Sequence, residues 1–175
     1  VAIAPSAPDT VWVGTGEANN SRSSYWGNGI YKSIDAGETW KHMGLPDSGH
    51  IGRIVVHPTN PDVVYVAVLG HLYSDNPERG LYKTMDGGQS WELILAEIIE
   101  TTGRFENETT RHVGVVEVVM HPENFDTLYA ATYDKVRKPW TFNPGGPGSR
   151  IYKSVDAGAN WTMLGGGLPM GMLGR

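Results

Sequence analysis

The sequence predicts an all-β fold assembled from three copies of one four-stranded antiparallel unit. Three observations predict it. An eight-residue pattern, Ser/Thr-x-Asp-x-Gly-x-x-Trp, occurs as SIDAGETW at 33–40, TMDGGQSW at 84–91 and SVDAGANW at 154–161. The text upstream of each copy repeats too: VAIAPSAPDTVWVGT (1–15), IVVHPTNPDVVYVAV (54–68) and VVMHPENFDTLYAAT (118–132) align as an apolar run, a turn with Asp, and a second apolar run. The chain also carries 23 Gly and 11 Pro in 175 residues, with many Trp and Tyr. That mixture favours turns and strands over helices.

Within a unit, strand A is the first apolar run and ends at a Pro-x-x-Pro-Asp or Pro-x-x-Phe-Asp turn, where Pro presets φ and Asp bonds its own backbone. Strand B is the second run. After a loop comes strand C, read as GIYKSID, GLYKTMD or RIYKSVD, and then strand D, read as TWKHM, SWELIL or NWTML. The eight-residue pattern joins C to D, and its chemistry explains its repetition. An Asp side chain accepts backbone N–H bonds in a tight turn, the Ser/Thr hydroxyl assists, Gly supplies a positive φ, and Trp covers the hairpin. Ser33, Asp35, Gly37 and Trp40 are therefore expected to be structural, as are Thr84, Asp86, Gly88 and Trp91 and, in the third copy, Ser154, Asp156, Gly158 and Trp161.

Repeated four-stranded units of about 40–50 residues signal the blades of a β-propeller. The expected blades are 1–51, 52–112 and 113–167, with 168–175 opening the connection to a further blade, all within one propeller domain. Three blades do not close a ring, since propellers have about four to eight. The sequence therefore predicts an incomplete ring: a fragment of a six- to eight-bladed propeller, or a chain completed by remaining blades or sister subunits.

The eight-residue pattern is identified as the Asp-box, or bacterial neuraminidase repeat. The chain resembles Asp-box β-propellers, a group that includes sialidases, xyloglucanases, sortilin-type receptors and a photosystem II assembly factor. GTGEANNSRSSYWGNGIYKSIDAGETW, HPTNPDVVYVAVLGHLYSDNPERGLYKTMDGGQSW and PWTFNPGGPGSRIYKSVDAGANW resemble large exported bacterial proteins of the sortilin-like or glycosyl-hydrolase-like kind. The resemblance implies an extracellular or periplasmic location, with the signal peptide outside this chain. It identifies fold better than function, because one scaffold carries unrelated activities.

Composition excludes several classes. A net charge of −5 with interspersed signs argues against nucleic acid, and no stretch approaches the roughly 20 apolar residues of a spanning helix. Cysteine is absent, which removes disulfides and thiolate metal sites. The histidines lack the HExxH spacing, and no calcium loop or phosphate loop is present, so neither a metal nor a cofactor is expected. His57 and His121 stand before Pro in equivalent turns and read as part of the repeat, while His50 and Arg53 are placed toward the central channel.

In an up-and-down blade the A–B and C–D turns share one face, and the B–C and D–A connections share the other. The long insertions, 14–29, 69–80 and 132–148 (B–C) and 96–114 (D–A), therefore lie opposite the repeated turns, and loops on a rigid scaffold carry function. Arg22, Tyr25, Trp26, His71, Tyr73, Arg79, Tyr133, Arg137 and Trp140 are the candidates for gripping a glycan or a peptide, through planar rings that stack and polar groups that orient. A glycoside hydrolase needs two carboxylates, about 5–5.5 Å or 6.5–9.5 Å apart, and Glu17, Asp75, Glu78 and Asp134 are the acids on this face. Two readings follow: a binding or assembly module of an exported bacterial protein, and, as the alternative, part of a secreted sialidase- or xyloglucanase-like hydrolase. Whether the chain is an enzyme stays open at this point.

Overall fold

In the computed structural model, residues 1–100, 110–168 and the backbone of 173–174 are described. The chain forms β1 (Ala2–Ala4), β2 (Ala7–Gly14), β3 (Ile30–Ser33), β4 (Lys41–His42), a single 3-10 turn at Pro46–Ser48, β5 (Ile51–Val56), β6 (Val64–Val68), β7 (Gly80–Thr84) and β8 (Glu92–Leu95). It continues through β9 (Glu97–Glu100), β10 (Thr110–Met120), β11 (Leu128–Tyr133), β12 (Val136–Lys138), β13 (Thr141–Asn143), β14 (Gly145–Gly146), β15 (Ile151–Ser154), β16 (Thr162–Leu164) and β17 (Leu173–Gly174). β1-β2-β3-β4 and β5-β6-β7-β8 are antiparallel meanders, and β16-β15-β11-β10-β9 is a third meander with one added strand. The architecture is a partial β-propeller of three blades, with β5 packed against β1 on one side and β10 on the other.

Among the described residues two hydrophobic cores lie between the blades, and the middle blade feeds both. Strand side chains alternate faces, so β6 sends Val64, Val66 and Val68 to Trp12, Ile30 and Ile54 on one side. Tyr65 and Ala67 go to Leu81, Val118 and Leu128 on the other. This is why VYVAV reads as a continuous apolar run. On the inner face Arg53 pairs bidentately with Glu117, at 2.5 and 2.8 Å, joining β5 to β10.

Each C–D turn is a clasp closed by the same bonds. Ser33 Oγ donates to Asp35 Oδ1 at 2.6 Å and accepts from Gly37 N at 2.8 Å. Thr84 and Ser154 do the same toward Asp86 and Gly88, and toward Asp156 and Gly158. The residue before Trp adds two donors that the pattern did not announce: Thr39, Ser90 and Asn160 each bond the Asp through backbone N–H and side chain. The residue between Asp and Gly is the second surprise. Ala36, Gly87 and Ala157 all take positive φ, at 58°, 69° and 55°, and their N–H groups donate to Asp9, Asp62 and Asp126 carbonyls of the A–B turns at 2.9, 3.0 and 2.8 Å. His57 and His121 close the A–B turns of the second and third blades, their Nδ1 accepting from Asn60 N and Asn124 N.

Two stretches expected as loops contain strands. The described part of 96–114 forms β9 and the start of β10, paired Glu97↔Val113 to Glu100↔Thr110, because Ile99 and Val113 are buried against the loop at Gly148. The rest of that connection, 101–109, and residues 169–172 and 175 of the expected 168–175 connection lie outside the described residues. Within 132–148, β11 runs on to Tyr133, β12 pairs β13, and β14 pairs β17.

The left-handed clasp position carries a stability prediction. A non-glycine residue there costs roughly 1–2 kcal/mol, partly offset by the extra unfolded-state entropy of Gly. Ala36→Gly and Ala157→Gly should each stabilise by about 0.5–1 kcal/mol. Gly87→Ala should destabilise by more than that, since its Cβ would also meet Asp62 Oδ1 at 2.7 Å. Urea titration of the three variants checks this.

The clasps also set an acid limit. Hydrogen bonds from Ser33 and Thr39 hold Asp35 at about 2, bonds from Asn160 and Ser154 hold Asp156 at about 2, and those from Ser90 and Thr84 hold Asp86 well below the carboxylate range. A carboxylate held below its unfolded value favours folding above roughly pH 4, and that contribution is lost as pH falls toward the folded value. The melting temperature should therefore fall steeply between about pH 4 and pH 2, and less steeply in Asp35→Asn and Asp156→Asn.

Candidate functional site

The loops opposite the clasps enclose a cavity of about 720 Å³, lined by Arg22–Asn28 of the first B–C loop, Pro46, Asp47, Gly49 and His50 of the first D–A connection, and His71–Ser74 of the second B–C loop. Its loops are held before any ligand arrives. Thr15 and Gly29 close the base of 14–29 by Thr15 N→Gly29 O and Thr15 Oγ1→Gly29 O, at 3.1 and 2.7 Å, and Gly27 N donates to Gly49 O at 2.7 Å. Tyr73 OH donates to Arg22 O at 2.8 Å, tying the two B–C loops together. Asn76, buried, accepts from His71 N and donates to Asp47 O; it pins the second loop to the D–A connection.

Aromatic rings remain exposed on this scaffold. Tyr25, Trp26 and Tyr73 are 78, 82 and 39% exposed, and all three line the cavity with Arg22 and His71. Tyr25 and Trp26 also border a second groove of about 450 Å³ that contains the exposed carboxylate of Glu17. His50 forms part of the floor and is 2% exposed. A carbonyl only accepts, so the His50 Nδ1 contact with Gly70 O at 2.8 Å puts the proton on Nδ1. Nε2 is then a buried acceptor, without a partner among the described residues. Burial is the main cause that lowers the pKa of His50 below its ordinary value, which favours this neutral form. His50 thus stands at the floor of the loop-face cavity; of the pair expected in the channel, only Arg53 lines the groove along the inner strands.

The other candidates are placed differently. Tyr133, Asp134 and Arg79 are buried, contrary to the expectation of a ligand-facing role. Asp134 Oδ1 accepts from Arg111 Nε and Nη2 at 2.9 and 2.6 Å, and Oδ2 accepts from Gly148 N. Burying that carboxylate is tolerable only with such a full set of donors. Arg79 donates to the carbonyls of His112, His71 and Ser74. Asp75 accepts from His112 N and lies 2.6 Å from His112 Nδ1, with Arg79 at 3.5 Å. Glu78 is half-buried and accepts from Asn76. Of the four expected acids, then, Asp75, Glu78 and Asp134 are tied into the loop scaffold, and Glu17 is exposed. Arg137 stacks over Phe142 at 4.7 Å, and Trp140 is exposed on the β12–β13 hairpin; neither lines the aromatic cavity. Among the described residues no cluster of three or more metal-ligating side chains occurs, and no helix is long and apolar enough to cross a membrane.

Sequence reasoning missed Asn76, His112 and Lys135. The signal for Asn76 and His112 is weak, since their roles rest on contacts with other segments: Asn76 with Asp47, and His112 with Asp75 and Arg79. Lys135 is buried and donates to His71 O at 3.1 Å.

No family model matches the chain. Over 105 residues it is 28% identical to an oligoxyloglucan-reducing end-specific xyloglucanase of Emericella nidulans, covering 57% of this chain and 11% of that protein. It is 29% identical over 99 residues to a probable oligoxyloglucan-reducing end-specific xyloglucanase of Neosartorya fischeri, covering 54% of this chain and 10% of that protein. The chain therefore spans about a tenth of the length of these curated relatives. Among solved structures it is similar to a GH74 enzyme of Niastella koreensis, with a TM-score of 0.58 and 22% identity over 92% of this chain and 20% of that one. An ancestral GH74 enzyme gives a TM-score of 0.55 and 19% identity over 93% of this chain and 19% of the other. These structural likenesses show the fold, a section of a β-propeller.

Lys135 generates a pH prediction. Burial first, then Arg79 and Arg137, lowers its pKa from 10.5 to about 7. Between those values the unfolded chain holds a proton that the folded chain does not, so Lys135 makes stability rise with pH across this window. Lys135→Met should flatten the rise, measured as the difference in unfolding free energy between variant and wild type at pH 7 and pH 10.

Proposed function

We propose that the chain is a section of an Asp-box propeller of the glycoside-hydrolase-like kind, acting outside the cytoplasm, and that its loop-face cavity holds a glycan. The observation that carries this reading is the convergence of Tyr25, Trp26 and Tyr73, all exposed, on one preformed cavity. Exposed rings on fixed loops offer flat apolar faces that stack on pyranose rings at little entropic cost. The sequence similarity to two xyloglucanases points to a xyloglucan-type oligosaccharide.

In this reading the section supplies binding surface first. Glu17 is the acid offered to chemistry, in the groove beside Tyr25 and Trp26, because Asp75, Glu78 and Asp134 already bond neighbouring loops.

Titration with xyloglucan oligosaccharides, followed by tryptophan fluorescence and calorimetry, tests the proposal. Trp26→Ala and Tyr25→Ala should each weaken binding by roughly tenfold, the effect of losing about 1–1.5 kcal/mol of stacking. Trp140→Ala should leave it unchanged. Binding that survives loss of both Tyr25 and Trp26, or no binding of any neutral glycan at millimolar concentration, would overturn it.

A further inference from the structure

We infer that the joint between the second and third blades holds one halide-sized anion, with chloride as its probe, in a cationic cleft beside the aromatic cavity.

Three cations in one short segment lack a counter-charge. Lys135 immediately precedes β12, which carries Arg137 and Lys138. Among the described residues none of the three stands within ion-pair distance of a carboxylate, whereas Arg53, Arg111 and Arg150 meet Glu117, Asp134 and Glu97. Lys135 is the anomaly, since it is 2% exposed and buried lysines are almost always paired. Its Nζ has one acceptor among the described residues, the neutral carbonyl of His71 at 3.1 Å, and Arg79 Nη2 donates to the same oxygen at 2.9 Å. Two positive groups therefore converge on one uncharged atom. Arg137 lies over Phe142, and its Nε is buried without a partner among the described residues.

These three line one cleft together with Arg79 and Arg111, between the loops of the second and third blades. Asp75 is the one carboxylate among its lining residues, and it is already shared between His112 and Arg79. Arg111 is held by Asp134. The local excess is thus positive, in a chain whose net charge is −5. Burial first, then Arg79 and Arg137, lowers the pKa of Lys135 to about 7, as a buried cation among like charges should behave. The cleft measures about 10 Å³, room for one group about the size of a water molecule. Water would fill it and leave the charges as they are. A monatomic anion fills it, offsets them and takes up donors of Lys135 and Arg137. Leu72, Tyr73 and Ser74 belong to this cleft and to the aromatic cavity alike, so an anion here ties Lys135 and β12 to the wall that carries Tyr73. Its binding is independent of what the cavity itself holds.

The line width of the chloride NMR signal, titrated with the 175-residue chain at neutral pH and with methanesulfonate holding the ionic strength constant, tests this. The expected result is saturable broadening. Lys135→Met should remove it, and Arg137→Gln should weaken binding about tenfold, as for loss of one charge-assisted hydrogen bond. Lys41→Gln, at an exposed lysine of β4, should leave it unchanged. Chloride should also raise the thermal midpoint of the wild type above its value in methanesulfonate, and not that of Lys135→Met, because a ligand of the folded state stabilises it. An anion beside Lys135 favours its charged form and raises its folded pKa. The rise in stability between pH 7 and pH 10 should therefore be flatter in chloride. Should Lys135→Met fail to fold, Arg137→Gln carries the test. No broadening by the wild type, or equal broadening by wild type and both cleft variants, would overturn the inference.

Discussion

One residue in each clasp ties its own blade together, and in the second and third clasps it also ties that blade to the one before. The N–H of Ala36, Gly87 or Ala157 reaches back to the A–B turn of its own blade, which holds the second hairpin to the first. The carbonyl of Gly87 or Ala157 faces the preceding blade and receives its lysine. Both bonds require the left-handed backbone found at all three sites. Asp35, Asp86 and Asp156 hold that conformation by accepting from the residue four places on and from the hydroxyl two places before. A short motif thus fixes hairpin, blade and blade-to-blade spacing through bonds that a change in any one member would loosen together.

Because the clasps do this on one face, the loops on the other are released from closing the blades, and they are held by backbone bonds and by buried charge. Asp134 with Arg111, Asp75 with His112 and Arg79, and Lys135 on the His71 carbonyl form a scaffold beside the aromatic cavity. Buried ions of this kind are costly to leave without partners, so these residues keep their loops in one arrangement. The same commitment removes them from general acid–base work, which needs a carboxylate free to exchange a proton with substrate.

The fold was legible because its signals are local. A clasp is spelled in eight adjacent letters and each strand in an alternating or continuous apolar run, so the order of strands in the first two blades follows from the sequence. What was illegible is carried by contacts across the chain or by backbone conformation. Nothing in the letters of Ala36 or Ala157 declares a positive φ, and Ala is an uncommon choice there. β9 has only four residues, Glu97–Glu100, and becomes a strand through its pairing with Thr110–Val113. For the site, Arg22, Tyr25, Trp26, His71 and Tyr73, which the sequence groups on one face, line one cavity. Tyr133, Asp134 and Arg79 stand in the same loop sequences but turn inward, since a loop strapped to its scaffold must bury some of its own side chains.

The balance between inward and outward side chains separates support from recognition in these loops. Trp26 is 82% exposed, although its loop is closed at the base by Thr15 and Gly29 and joined to its neighbours through Gly27 and Arg22. Burying such a ring would contribute roughly 2–3 kcal/mol, yet the backbone bonds hold it outward. A ring that supported its own loop would be buried, as Tyr133 is. Trp26 instead stands beside Tyr25 at the junction of two grooves, one containing His50 and Tyr73 and the other Glu17. Rings fixed in advance lose little freedom when a flat partner covers them. In the proposed reading, an extended chain of sugar rings running across the two grooves would be such a partner, with Glu17 in the second groove.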